Sequence, residues 1–152
     1  MRIERIYTRN VVGTTRTATI MEAAAAMRRF HVGTLVVMDE EDGDRPVGIV
    51  TDRDLVLQAV ADGLSPKEVY VGEMMSPIVA TVDEGADLHE ALERMRAAGV
   101  RRLLVLQANG AVAGILSADD IVDGLSADLA SLARAVKSGI DAETAEYGGV
   151  RM

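Results

Sequence analysis

The sequence predicts an α/β (α+β) protein made of two copies of a strand–helix–strand–strand–helix unit, βαββα. The first observation is an internal repeat. Val47-Gly48-Ile49-Val50-Thr51-Asp52-Arg53-Asp54-Leu55-Val56 returns as Ala113-Gly114-Ile115-Leu116-Ser117-Ala118-Asp119-Asp120-Ile121-Val122, and repetition constrains the fold before any single element does. The second is that hydrophobic spacing alternates between strand-like and helix-like in the same order in both halves. The third is size: 152 residues can bury a substantial core, whereas two units of roughly 65 residues would each be marginal alone, so the halves should share a core.

The elements follow in order. Asn10-Val11-Val12-Gly13-Thr14 and Pro77-Ile78-Val79-Ala80-Thr81 are short β-branched runs, expected to be extended. Thr19-Ile20-Met21-Glu22 and Asp87-Leu88-His89-Glu90 place an N-cap oxygen three residues before a glutamate, which predicts capping boxes. Ile20, Ala23, Ala24 and Met27, and then Leu88, Ala91, Leu92 and Met95, give each helix an apolar face. Thr34–Met38 and Arg102–Leu106 are nearly continuous in hydrophobicity, as in strands covered on both faces. Gly43-Asp44 and Asn109-Gly110 are turn signals that fold Val47–Val50 and Ala113–Leu116 back antiparallel. Thr51 and Ser117 then hand each strand to a helix carrying Leu55, Val56, Ala59 and Val60, or Ile121, Val122 and Leu125.

These signals place a first repeat at 7–63, a linker at 64–76 and a second repeat at 77–125. An amphipathic C-terminal helix is expected at 126–141, with Leu129, Leu132, Ala133, Val136 and Ile140 on its apolar face. A flexible tail is expected at 142–152. The apolar face of that helix must be covered by its own domain, a second copy or a partner protein.

Composition narrows the function. The net charge of −8 and the pI of about 4.7 are opposed to the clustered basic face of a nucleic-acid binder, so no nucleic-acid partner is expected. Both high-salt adaptation and ordinary solubility are compatible with the acidity. There is no cysteine, hence no disulfide or thiol nucleophile. No apolar run approaches the ~20 residues that span a bilayer, and Met1-Arg2-Ile3-Glu4-Arg5 lacks the apolar stretch of a signal peptide. The expectation is a cytoplasmic protein without a membrane partner. His31 and His89 fall in corresponding regions of different repeats without a patterned ligand set, and Asp39-Glu40-Glu41-Asp42 lacks calcium-loop spacing. No metal site is expected.

The chain resembles a tandem pair of cystathionine-β-synthase (CBS) domains, the arrangement called a Bateman module, over about residues 7 to 125. The resemblance rests on Gly48–Asp54 and Gly114–Asp120, on Val100-Arg101-Arg102-Leu103-Leu104-Val105, and on Val71-Gly72-Glu73-Met74-Met75-Ser76-Pro77. It implies repeats packed sheet to sheet about a pseudo-twofold axis, with two clefts between them. It also implies a homodimer and regulation of an unidentified partner protein. It implies adenosyl ligands (AMP, ADP, ATP, S-adenosylmethionine or NAD) rather than a required cofactor. Carried onto this sequence, it implies that Thr51 and Ser117 meet the ribose-phosphate region, that Asp54 and Asp120 hold the ribose diol, and that Arg101 and Arg102 meet phosphates. The segments Val11–Thr14 and Ile78–Thr81, with Val12, Thr14, Val79 and Thr81 as the candidates, would provide backbone groups and apolar contacts to the adenine, or else be plain β-core.

Each assignment has a plainer counterpart. Thr-x-x-Asp at a strand-to-helix junction is a helix cap without any ligand, contributing about 1 kcal/mol. Adjacent strand residues point to opposite faces, so only one of Arg101 and Arg102 is expected in a given cleft; the other would pair with an acidic neighbour. Arg53, whose counterpart is Asp119, is expected on the surface. The leading reading is therefore a regulatory module sensing adenosyl ligands, and the alternative is a ligand-independent oligomerisation or adaptor module. No nucleophile–base pair, glycine-rich phosphate loop or metal set supports an enzyme.

Overall fold

The computed structural model describes residues 1–42, 45–78 and 80–147. The turn residues Gly43 and Asp44, and Val79, lie outside the described residues. The first half contains β1 (Val12–Thr15), α1 (Ile20–Phe30), β2 (Thr34–Asp39), β3 (Arg45–Thr51) and α2 (Asp52–Asp54), which continues as a π-helix over Leu55–Val60. Then come α3 (Val71–Met74) and β4 (Ser76–Pro77). The second half contains β5 (Thr81–Asp83), α4 (Leu88–Ala98), β6 (Arg102–Leu106), β7 (Val112–Ser117) and α5 (Ala118–Tyr147).

Two sheets result, ordered β1-β2-β3-β4 and β5-β6-β7. In each, the first strand pairs parallel with the second and the second pairs antiparallel with the third. Both antiparallel ladders shift register at equivalent places, Val37/Met38 and Val105/Leu106. The middle strands divide their side chains by alternation. Leu35 and Val37 join one helix-covered core and Leu103 and Val105 the other, while Val36 and Leu104 meet Ile115 in a third cluster between the sheets. This mixed α/β architecture packs its two repeats sheet against sheet.

The helix starts follow the sequence. Thr19 Oγ1 accepts from Glu22 N–H at 3.2 Å, and Glu22 Oε2 accepts from Thr19 N–H at 2.8 Å. At Asp87 only half of the box forms: Asp87 Oδ1 accepts from Glu90 N–H, but Glu90 turns away to accept from Arg94. Ala24 and Leu92, expected on the apolar faces, are exposed, and Ala26 packs inward instead.

The repeats exchange their leading segments. Ile3 and Tyr7 are buried in the core of the second repeat, and Val71 and Met74 in the core of the first. Arg2 bridges Asp87 while Tyr70 bridges Thr19. Thr8 bridges Ile115 on β7 while Ser76 pairs with Ile49 on β3. The segment read as a linker is thus the leading element of the second repeat, and the N-terminal residues are its counterpart. Gly48 and Gly114 sit under these crossings. A Cβ on Gly48 would approach Met75 Sδ and Ser76 O, and one on Gly114 would run into Thr8 O and the Tyr7 ring.

The C-terminal region also differs from expectation. A single helix of 30 residues replaces a short helix followed by a second one, and it continues through Gly124. Residues 142–147, expected in the tail, are helical, and residues 148–152 lie outside the described residues. An interior glycine costs a helix only about 1 kcal/mol. Here a Cβ at 124 would meet Ile6 Cγ2, so glycine lets the N-terminal segment lie against the helix.

Candidate functional site

The two repeat motifs fold into matching junctions. Thr51 ends β3 as the N-cap of α2. Its Oγ1 accepts from Asp54 N–H at 3.1 Å, and its own N–H donates to Asp54 Oδ2 at 2.9 Å. Ser117 and Asp120 repeat both bonds at 3.1 and 2.9 Å. The capping described from sequence is therefore complete at both sites. It uses one oxygen of each carboxylate and the lone pairs, but not the proton, of each hydroxyl. Among the described residues nothing hydrogen-bonds the other carboxylate oxygen, Oδ1, of Asp54 or Asp120. All four residues are half-buried.

Each junction opens onto a cleft completed by the other repeat. One, of about 350 Å³, is lined by Ile49, Thr51 and Asp54 from the first repeat and by Val100, Arg101 and Arg102 from the second, with Pro77 and Ile78. The other, of about 330 Å³, is lined by Ile115, Ser117 and Asp120 from the second repeat and by Val32, Gly33 and Thr34 from the first, with Asn10 and Val11. Under the internal repeat Ile49, Thr51 and Asp54 correspond to Ile115, Ser117 and Asp120, and Val100, Arg101 and Arg102 to Val32, Gly33 and Thr34. Both volumes lie at the lower end of small-molecule sites.

The charges do not correspond. The Thr51 cleft carries Arg53, Arg101 and Arg102 against Asp54. The Ser117 cleft carries Arg102 and His31 against Asp120. Arg101 and Arg102 both line the Thr51 cleft because Arg101 lies in a bend before β6, where strand alternation does not hold. Arg101 also donates to Asp119 Oδ1 at 3.3 Å, with both side chains 78% exposed; such a surface pair contributes little and leaves the guanidinium adjustable. Arg102 lines both clefts and has no ion-pair partner among the described residues. Arg53 is exposed, as expected, and also borders the Thr51 cleft.

The remaining candidates separate. Val12 packs against the first-repeat core, whereas its neighbour Val11 reaches the inter-sheet cluster and a cleft wall. Thr14 and Thr81 line neither cleft; Ile78 and Ala80 take the corresponding wall. The cleft walls thus fall within the segments expected to supply them, on Val11, Ile78 and Ala80, the positions that strand alternation turns away from Val12 and Thr81. Val79 lies outside the described residues. His31 is exposed and adds a wall residue to the Ser117 cleft. It caps α1 in the left-handed region at φ 54°.

Reciprocal clefts between two exchanged βαββα repeats define a paired-repeat module, in which each cleft needs both halves. The CBS domain family model matches residues 3–60 and 71–127, and the chain belongs to the CBS domain family as a tandem pair. It is 37% identical over 120 residues to an uncharacterized protein of Methanopyrus kandleri, covering 79% of this chain and 60% of that protein. The chain thus spans somewhat under two thirds of that relative's length. A CBS domain protein from Pyrobaculum aerophilum complexed with AMP is similar over 79% of this chain and 89% of its own, with TM-score 0.65 and 32% identity. A hexameric CBS-CP12 protein from bloom-forming cyanobacteria is similar over 80% of this chain and 69% of its own, with TM-score 0.69 and 29% identity. The family match names no catalytic activity. No described helix is long and apolar enough to cross a membrane.

Proposed function

We propose that this protein is a non-catalytic, homodimeric regulatory module of the cytoplasm that binds adenine nucleotides in the clefts between its repeats and signals occupancy to a partner protein. The observation that carries the reading is the pairing, in each cleft, of an unspent carboxylate oxygen and hydroxyl proton with arginine: Arg101 and Arg102 from the opposite repeat in the Thr51 cleft, and Arg102 of the same repeat in the Ser117 cleft. Oδ1 of Asp54 or Asp120 is suited to accept from neighbouring ribose hydroxyls. Thr51 or Ser117 keeps a hydroxyl proton for a phosphate, and arginine matches phosphate geometry. The AMP complex of the Pyrobaculum relative supports this ligand class.

The Thr51 cleft is the tighter site for a phosphate-bearing ligand. It gathers three arginines, while the Ser117 cleft has Arg102 alone beside His31. Because Arg102 borders both, a phosphate that recruits it in one cleft removes it from the other, so the second ligand binds more weakly. Ligand held by both repeats favours one arrangement of them over others, which is the physical route to a signal.

Titration calorimetry with AMP, ADP and ATP tests this. Unequal binding at two sites is expected, with Arg102→Ala weakening the tighter site about tenfold or more, the equivalent of about 1.4 kcal/mol. A ligand at 100 times its Kd should add about 2.7 kcal/mol of stability. The completeness of both caps favours a second reading, a ligand-independent adaptor. No thermal shift with AMP, ADP, ATP, S-adenosylmethionine or NAD at high excess would leave that reading standing.

A further inference from the structure

The helix α5 leaves the body of the protein with an apolar stripe that nothing among the described residues covers. Ile121 is buried against the second repeat, but every described side chain from Leu125 to Glu146 is exposed. Val122, Leu125, Leu129, Leu132 and Val136 are 45% to 67% exposed. Their spacing alternates three and four residues, which is the a/d pattern of a coiled-coil seam rather than the broader 3.6-residue face of a helix lying on a globular core. The stretch beyond residue 127 lies outside the family match, so the seam's distal half is a feature of this chain and not of the CBS unit.

We infer that α5 pairs in parallel and in register with α5 of a second copy, through the seam Val122–Leu125–Leu129–Leu132–Val136. Four observations favour a second copy over other occupants. First, valine at two of the three a positions and leucine at both d positions is the combination that favours parallel two-stranded coils. Second, the flanking e and g positions hold Ser126, Asp128, Ala133 and Ala135; in a parallel pair Asp128 faces Ala133 of the other copy, so no like charges oppose. The charged Asp123, Arg134, Lys137 and Asp141 fall on the outer b and f positions. Third, the stripe exposes on the order of 500 Å² per chain, more than scattered surface residues leave and a large share of the ~800 Å² per partner of a stable interface. Fourth, most helical stability in proteins comes from packing of an amphipathic face, and a symmetric pair supplies that packing with no other component.

This rests on the homodimer part of the proposed function and not on its nucleotide part. The chain has no cysteine, so single cysteines report neighbours without background. In the full-length protein, Leu132→Cys should form a covalent dimer on mild oxidation, because in-register d positions face each other across the seam. Arg134→Cys, on the outer face, should not. Separately, Leu129→Glu with Leu132→Glu should raise the dimer dissociation constant at least 100-fold in analytical ultracentrifugation, with nucleotide-induced melting shifts unchanged. Both positions are exposed, so the folded body is preserved. A wild-type dimer in which Leu132→Cys fails to cross-link, or in which Arg134→Cys cross-links equally, overturns the seam but keeps the homodimer. A wild-type monomer at micromolar concentration overturns both.

Discussion

The two repeats share one junction and diverge on either side of it. At Thr51 and Ser117 a strand ends in the same cap, and the two capping bonds have the same lengths, 3.1 and 2.9 Å. After the junction, the first repeat runs into a π-helix that stops near Gly63, at φ +66°, while the second continues for 30 residues. Before β6 the second repeat has Arg101 and Arg102 where the first has Gly33 and Thr34. What is held in common makes the two clefts alike, and what differs distinguishes them: more arginine in one cleft and a long helix at one end. A duplicated fold can diverge this way because a cap needs only two residues, leaving their neighbours unconstrained.

The largest expected difference lies under the exchanged segments. Gly114→Ala would drive a Cβ into the backbone oxygen of Thr8 and the Tyr7 ring, neither of which can yield without moving the whole N-terminal segment. Gly48→Ala meets Met75 Sδ, the far part of a flexible side chain, and Ser76 O at 3.0 Å. Overpacking of this kind costs about 1–3 kcal/mol. Gly114→Ala should fall at the upper end and Gly48→Ala at the lower, measured by urea denaturation. Equal losses would mean that the two crossings are equally adaptable.

That exchange also marks where sequence reading stopped. Periodicity located the strands and helices, and the Thr/Ser-x-x-Asp spacing located the caps, because both are local and each residue's role is fixed within a few positions. Hydrophobicity shows that Ile3 and Tyr7 are to be buried, but not in which repeat. A usable signal existed: Ile3, Ile6 and Tyr7 repeat the spacing of Val71, Met74 and Met75 at the offset that relates Thr19 to Asp87. Arg102 could not be placed on two clefts from sequence, since that depends on how the sheets cross. The helix of the second repeat and the one expected at 126–141 prove continuous, and the segment that leans on Gly124 near their joint, Ile6, is remote in the chain. The π-helix at Leu55–Val60 has no sequence signature that distinguishes it from an α-helix.

A smaller contrast comes from the C-caps of α1 and α4. His31 and Gly99 both adopt the left-handed conformation, at φ 54° and 65°. Glycine does so without a Cβ penalty, whereas other residues give up roughly 1–2 kcal/mol there. Gly99→His should therefore lower stability by about 1 kcal/mol, since a Cβ at 99 meets nothing that could repay the strain. His31→Gly should leave stability unchanged or raise it, because relief of strain is partly offset by a looser unfolded chain. Chemical denaturation of both variants reads the sign. A loss of stability in His31→Gly would show that the imidazole makes stabilising contacts in the Ser117 cleft, which it lines.

The smallest contrast is in acid. The N-caps Thr19 and Asp87 occupy equivalent positions, but only Asp87 titrates. The hydrogen bond that its carboxylate accepts from Glu90 N–H is the largest influence holding its pKa below the ordinary carboxylate value; His89, through its own N–H and its charge, and the N-terminal ammonium group add to it. A carboxyl whose pKa is lower in the folded state stabilises the fold above its unfolded-state pKa and loses that contribution as pH falls through the folded value. The melting-temperature advantage of the wild type over Asp87→Thr should therefore be full near pH 6 and shrink as pH is lowered toward about 2.5. Replacing Thr19 by Asp should create the same pH dependence at α1, where the wild type has none from this position. An advantage over Asp87→Thr that stays constant across that range would mean that the cap acts through geometry alone. The charge on Asp87 would then contribute nothing to the helix it begins.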